Sequence, residues 1–107
     1  MIDMNQIREI FEQDDESINL ILSMYIEEYH SAHKNIEELY SKQKWDDLYM
    51  LTHSLYGTLA GLSEENVSSH LKNIENDIRM NCEPNIEDIN LSVTGLHKIK
   101  EEISSYL

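Results

Sequence analysis

Seven positions from Ile18 to Leu39 follow one another at alternating steps of four and three: Ile18, Leu22, Tyr25, Tyr29, Ala32, Ile36 and Leu39. That spacing marks one face of a helix and is the seam of a helical bundle. No segment of the chain alternates with period two for long enough to make a strand. The steps predict a single helix from about Asp15 to Lys42. Asp14 or Asp15 can cap it, and Glu16 suits the positive end of its dipole.

The rest of the chain reads the same way. Met1 to Phe11 is a short helix with Met4, Ile7, Ile10 and Phe11 on one side, followed by an acidic connector, Glu12 to Asp15. Lys42-Gln43-Lys44 is a polar break before a helix from Trp45 to Leu62. Ser63 is placed to cap a helix running to about Met80, with Val67, Leu71, Ile74 and Ile78 as its stripe. Asn81 to Asn85 is a loop, because Pro84 disfavours helix at the residue before it. Asn85 can cap a last helix to about Tyr106 carrying Ile86, Ile89, Val93, Leu96, Ile99, Ile103 and Leu107. Gly95 inside that helix costs about 1 kcal/mol against Ala, which packing must offset. Three Gly and one Pro are too few for the turns of an all-β protein. The expectation is an all-α chain: one domain over residues 1–107, an antiparallel up-down four-helix bundle with a short extra N-terminal helix over one end. Four helices with short loops can close such a core as a monomer.

Charge narrows the partners. Eight basic against 21 acidic residues give a net charge of −13, which argues against nucleic acid and against an anionic membrane surface. No apolar run approaches the roughly 18 residues of a membrane span, and the N-terminus lacks a basic-then-apolar signal pattern. The single cysteine, Cys82, excludes an internal disulfide and suits a reducing compartment. Met1 lies close to the first helix, as in a free-standing protein, although a domain cut from a larger one would look the same.

One residue stands apart from the bundle pattern. At about 100° per residue, Leu48, Leu51, Thr52, Leu55, Leu59 and Leu62 share one stripe, and His53 lies about 150° away on the solvent side. On its own face the next two turns hold Gly57, Ala60 and Gly61. An outward imidazole among residues with almost no side chain is open to close approach by another protein.

His53-Ser54-Leu55-Tyr56-Gly57, placed on the second long helix of a four-helix array, resembles the signature of histidine-containing phosphotransfer (HPt) domains, the intermediate carriers of multistep phosphorelays. His53, Leu55, Gly57 and Ala60 fit the pattern, as does the closing pair Ile74-Glu75 on the next helix. The acidic start near Asp14 and the Trp45-Asp46-Asp47 lead-in are in register, so the resemblance covers about residues 10–107. Two positions depart from it. Tyr56 stands where the family usually has a lysine, and Ser63 where it usually has a turn glycine.

The resemblance implies that His53 is the phosphoacceptor and the partner is a receiver domain, in a response regulator or a hybrid histidine kinase, in the cytoplasm. A solvated imidazole is mostly neutral near pH 7 and can attack the phosphorus of an aspartyl phosphate. Phosphoryl transfer needs chiefly positioning and neutralisation of charge. The chain shows no P-loop, nucleotide loop or evident metal cage of its own, and the resemblance implies a carrier and not an enzyme. The receiver would supply the aspartate and the divalent metal. Gly57 would admit the receiver backbone. Lys72 and Arg79, on a flank of the following helix, are candidates to replace the missing lysine. Both flanks turn the same way from their stripes, so in a helical hairpin they either converge on His53 or both diverge; the sequence leaves both open. Tyr56 can donate a hydrogen bond to a phosphate oxygen.

Two other functions compete: a degenerate HPt-like adaptor that docks receivers or a kinase without carrying phosphate, and a helical interaction module outside phosphorelays. Other histidines read more plainly. His70 falls near a stripe, at the core boundary; His97 reads as surface. Glu27-x-x-His30 is half of a di-iron motif with no second half, and His33 with Glu37 nearby adds only a weak surface metal site. Tyr25, Tyr29, Tyr40, Tyr49 and Tyr56 read as packing residues with polar tips at the rim. No cofactor is expected.

Overall fold

The computed structural model describes residues 2–107, and Met1 lies outside the described residues. The described residues form helices and connectors, with no strand among them. The helices are α1 (Met4–Ile10), α2 (Asp15–Tyr29), α3 (Ala32–Ser41), α4 (Trp45–Gly61), α5 (Asn66–Arg79) and α6 (Ile86–Tyr106). α3 packs on α4, α4 on α5, α5 on α6 and α6 back on α3, so these four close a ring of neighbours. α2 lies against α6, and α1 against α2. The body measures 42 × 20 × 19 Å. None of the described helices is long and apolar enough to cross a membrane.

The stripes read from the sequence face the core. Ile18, Leu22 and Ile36, Leu48, Leu55 and Leu59, Leu71 and Ile74, and Ile99 and Ile103 join one buried cluster. Thr52, in the α4 stripe, is buried with its hydroxyl donating to the Leu48 carbonyl at 2.9 Å. In α1 only Ile7 is buried, and Ile10 is about half exposed. At the ends of α6, Ile86 and Leu107 are likewise exposed. Asp14 caps α2, accepting from the Glu16 and Ser17 amides, and Asn85 caps α6, accepting from the Glu87 amide.

Two boundaries differ from the sequence reading. The expected helix from Asp15 to Lys42 is two helices, interrupted at His30 and Ser31. Ser31 has φ −107° and ψ 10° and gives α3 no side-chain cap. Serine competes for backbone groups and weakens a helix interior. The interruption turns α3 onto α4 and α6 while α2 meets α6 and α1. His33, in the first turn of α3, is buried beside Ala32 and Ile36.

The second difference is at Ser63, which does not cap α5. It ends α4 in the left-handed region, with φ 60°. Its amide donates to the Ala60 carbonyl at 3.0 Å and the Glu64 amide to Leu59 at 2.9 Å, the crossed pair of a Schellman motif. α5 begins three residues later, at Asn66, and the fully buried Glu64 accepts from the Ser68 amide in its first turn. Gln43 and Asn81 end α3 and α5 in the same left-handed way.

Gly95 has a packing reason. A Cβ there would overlap Cγ2 of buried Val67, so the glycine lets α5 and α6 approach. The polar link His70 Nδ1–Asp88 Oδ1, 2.8 Å, joins the same two helices, and His70 sits half-buried at the boundary.

Candidate functional site

α4 presents His53 from its outer face because its own stripe, from Leu48 to Leu59, is anchored in the core. The His53 side chain is 62% exposed. Its ring lies parallel to that of Tyr49, one turn earlier, with centroids 6.0 Å apart. One turn later, Gly57 is exposed, and an added Cβ would meet nothing within 4 Å; the same holds at Gly61. Ala60 is exposed between them. The wall beside the imidazole is therefore bare backbone.

α5 supplies the opposite side. Glu75, whose side chain is only 2% exposed, accepts from His53 Nδ1–H at 2.9 Å through Oε1. Arg79 donates to the same oxygen at 3.3 Å and to Asn76 Oδ1 at 2.9 Å. Lys72 Nζ stands 3.6 Å from Oε2 and 5.0 Å from the centroid of the Tyr56 ring. The two helix flanks converge, and Lys72 and Arg79 gather on the carboxylate that holds His53. Tyr56 itself is half-buried and lies beneath Lys72.

Burial pushes the Glu75 carboxyl up. The His53 hydrogen bond and the charges of Lys72, His53 and Arg79 outweigh that effect and hold it below the usual carboxylate range. Ionised, Glu75 can only accept, which places a proton on Nδ1; in the neutral ring the lone pair is then on Nε2. The arrangement turns Nδ1 to the carboxylate and leaves Nε2 directed away from it.

No family model matches the chain, and no curated protein or solved structure matches it.

Glu75 is the site residue that sequence reasoning left without a role. Only its place in the closing pair Ile74-Glu75 pointed to it. Tyr49, stacked on His53, was likewise read as plain packing. The remaining histidines stay outside the site. His97 is exposed and pairs with Glu101 through Nε2 at 2.9 Å; its ring lies 5.0 Å from that of His33. His30 Nδ1 lies 3.0 Å from the Ile26 carbonyl. Among the described residues no group of three or more His, Cys, Asp or Glu could hold a metal ion.

Proposed function

We propose that this protein is a phosphohistidine carrier of a two-component phosphorelay, an HPt-like domain with the antiparallel up-down bundle of that family. His53 takes a phosphoryl group from a receiver-domain aspartate and passes it to another receiver. The observation that carries this reading is the pairing of an exposed His53 with a buried, ionised Glu75 on a wall stripped of side chains. The ring of contacts among α3, α4, α5 and α6 supports the bundle.

The chemistry follows from the geometry. Nε2 attacks phosphorus in line; the Nε2–P bond forms as the bond to the aspartyl oxygen breaks, and the electron pair leaves on the aspartate. The ring becomes an imidazolium, since Nδ1 keeps its proton, and the Glu75 carboxylate balances that charge. No proton has to move. Lys72 and Arg79, gathered on Glu75, put positive charge on the α5 side of His53, and Gly57 and Ala60 let the receiver backbone approach. The receiver, in a response regulator or hybrid kinase, supplies the aspartate and the divalent metal, so the chain is a carrier and not itself an enzyme. It works in the cytoplasm, where receivers act.

The test is incubation with a phosphorylated receiver. Acid-labile, base-stable label on the wild-type chain and none on His53→Gln is the expected result. An unlabelled wild type, or equal label on His53→Gln, overturns the proposal. Tyr56 in place of lysine motivates a second reading, an adaptor that docks receivers without transfer. Receiver binding with no label on the wild type would select it.

A further inference from the structure

Phosphorylation of Nε2 would bring about two negative charges to the α4–α5 face. Three cationic or protonated groups share Glu75 there, and they are held differently. His53 and Arg79 are hydrogen-bonded to Oε1. Arg79 is further tied to Asn76. Lys72 is not hydrogen-bonded to the carboxylate: it stands 3.6 Å from Oε2, and Oε2, although buried, has no hydrogen-bond partner. A free ammonium beside a carboxylate would close to about 2.8 Å. Lys72 instead lies over the Tyr56 ring, whose negative face attracts a cation. Tyr56 and Lys72 also wall one groove, which runs on past Ala60 to Ser63 and Asn73.

We propose that Tyr56 is a positioning residue: its ring holds the Lys72 ammonium off Glu75, which itself holds His53, as the cation that meets the phosphoryl group on Nε2. The inference rests on the carrier reading and adds the source of charge neutralisation within it. Lys72 is the cation not committed to Glu75, because its stem is flexible and its contact with Oε2 is loose. Arg79 stays bound to Glu75 and Asn76 and keeps the carboxylate in place.

Phosphoramidate, a small phosphoryl donor, tests this without any receiver. Nε2 attacks its phosphorus; the Nε2–P bond forms, the P–N bond of the zwitterion breaks, and the electron pair leaves on ammonia. The rate of phosphohistidine formation is measured on the full chain for the wild type and for Tyr56→Phe, Tyr56→Leu and Lys72→Gln, and for Tyr56→Leu combined with Lys72→Gln. Tyr56→Phe keeps the ring and the wild-type rate. Tyr56→Leu slows the reaction about two- to fivefold, the factor carried by an exposed cation–π contact. In the Lys72→Gln background Tyr56→Leu causes no further loss. In the unphosphorylated protein, the Lys72 ε-methylene NMR signal is shifted upfield by the ring in the wild type and Tyr56→Phe, and returns to the position of the other lysines in Tyr56→Leu. An equal effect of Tyr56→Leu with and without Lys72, or no effect of it on rate, overturns the inference alone. A wild type that takes no phosphoryl group from phosphoramidate overturns the carrier reading and this inference together.

Discussion

Replacing the acid at the centre of the His53 site should cost less stability than removing the cations around it. Glu75 is the buried member of the cluster, at 2% exposure, whereas the Lys72 and Arg79 side chains are 38% and 52% exposed. In Glu75→Gln the amide oxygen still accepts from His53 Nδ1–H, and the released cations return to water. The group that carried the desolvation penalty has lost its charge, so the loss should be about 1 kcal/mol or less. In Lys72→Met/Arg79→Met the carboxylate stays buried and loses the Arg79 hydrogen bond and both charges. A hydrogen bond to a charged group is worth about 1.5–3 kcal/mol, which places the double variant near 2 kcal/mol. For a domain of this size that is about 8 °C in Tm. Adding Glu75→Gln to the double variant should restore part of the loss, since no stranded charge remains. Urea unfolding at pH 7, followed by far-UV circular dichroism, gives all four values. A Glu75→Gln loss larger than that of the double variant, or simple additivity in the triple, would refute the reasoning. The pH dependence has a definite sign as well. The Glu75 carboxyl is held below its ordinary range, so its contribution is complete above that range and is lost as pH falls through the folded value. Glu75→Gln should flatten that acid limb.

Three further outcomes follow from the packing. Burial, then His97, Lys100 and Lys34, push the His33 imidazole below its ordinary range, with Glu37 opposing them; the unfolded chain therefore takes the proton first, stability falls as pH drops below the ordinary histidine range, and His33→Gln should show a shallower fall in chemical denaturation between pH 7 and pH 5. Gly95→Ala gains about 1 kcal/mol of helix propensity but drives a methyl into Val67, for a net loss of about 1 kcal/mol by thermal melt; Val67→Ala/Gly95→Ala should be more stable than the two single losses add up to. Ser63→Gly relieves a left-handed backbone at φ 60° and should raise stability by about 0.5–1 kcal/mol; an unchanged melting temperature would argue against strain at that turn.

The helical class was legible because the stripes repeat over several turns, and Asp14 and Asn85 mark their helix starts by side-chain chemistry that acts locally. The interruption at His30 and Ser31 was not legible. Tyr25, Tyr29, Ala32 and Ile36 keep their steps of four and three straight through it, so periodicity registers no break, and neither Gly nor Pro stands there. Ser63 misled because a serine before a helix and a serine ending one look alike in sequence; only the backbone angle separates them. In the site, the exposure of His53 could be read from the wheel, since it depends on one helix. The burial of Glu75 could not, because it depends on α5 lying against α4 with the two charged flanks turned toward each other. A lone acid among Lys72 and Arg79 on a wheel looks like ordinary solvated charge. His33 was obscured for the same reason: its burial depends on α3 lying against α6.

Gly57 and Gly61 have a practical consequence for anyone redesigning this molecule. Each leaves empty space where a methyl would go, and a stability-guided redesign would install alanine at both and gain about 1 kcal/mol at each. Melting curves would score that variant as an improvement. If a receiver docks on that face as proposed, nothing within the isolated chain would reveal the loss, because the two missing methyl groups would matter only to the molecule resting against that helix.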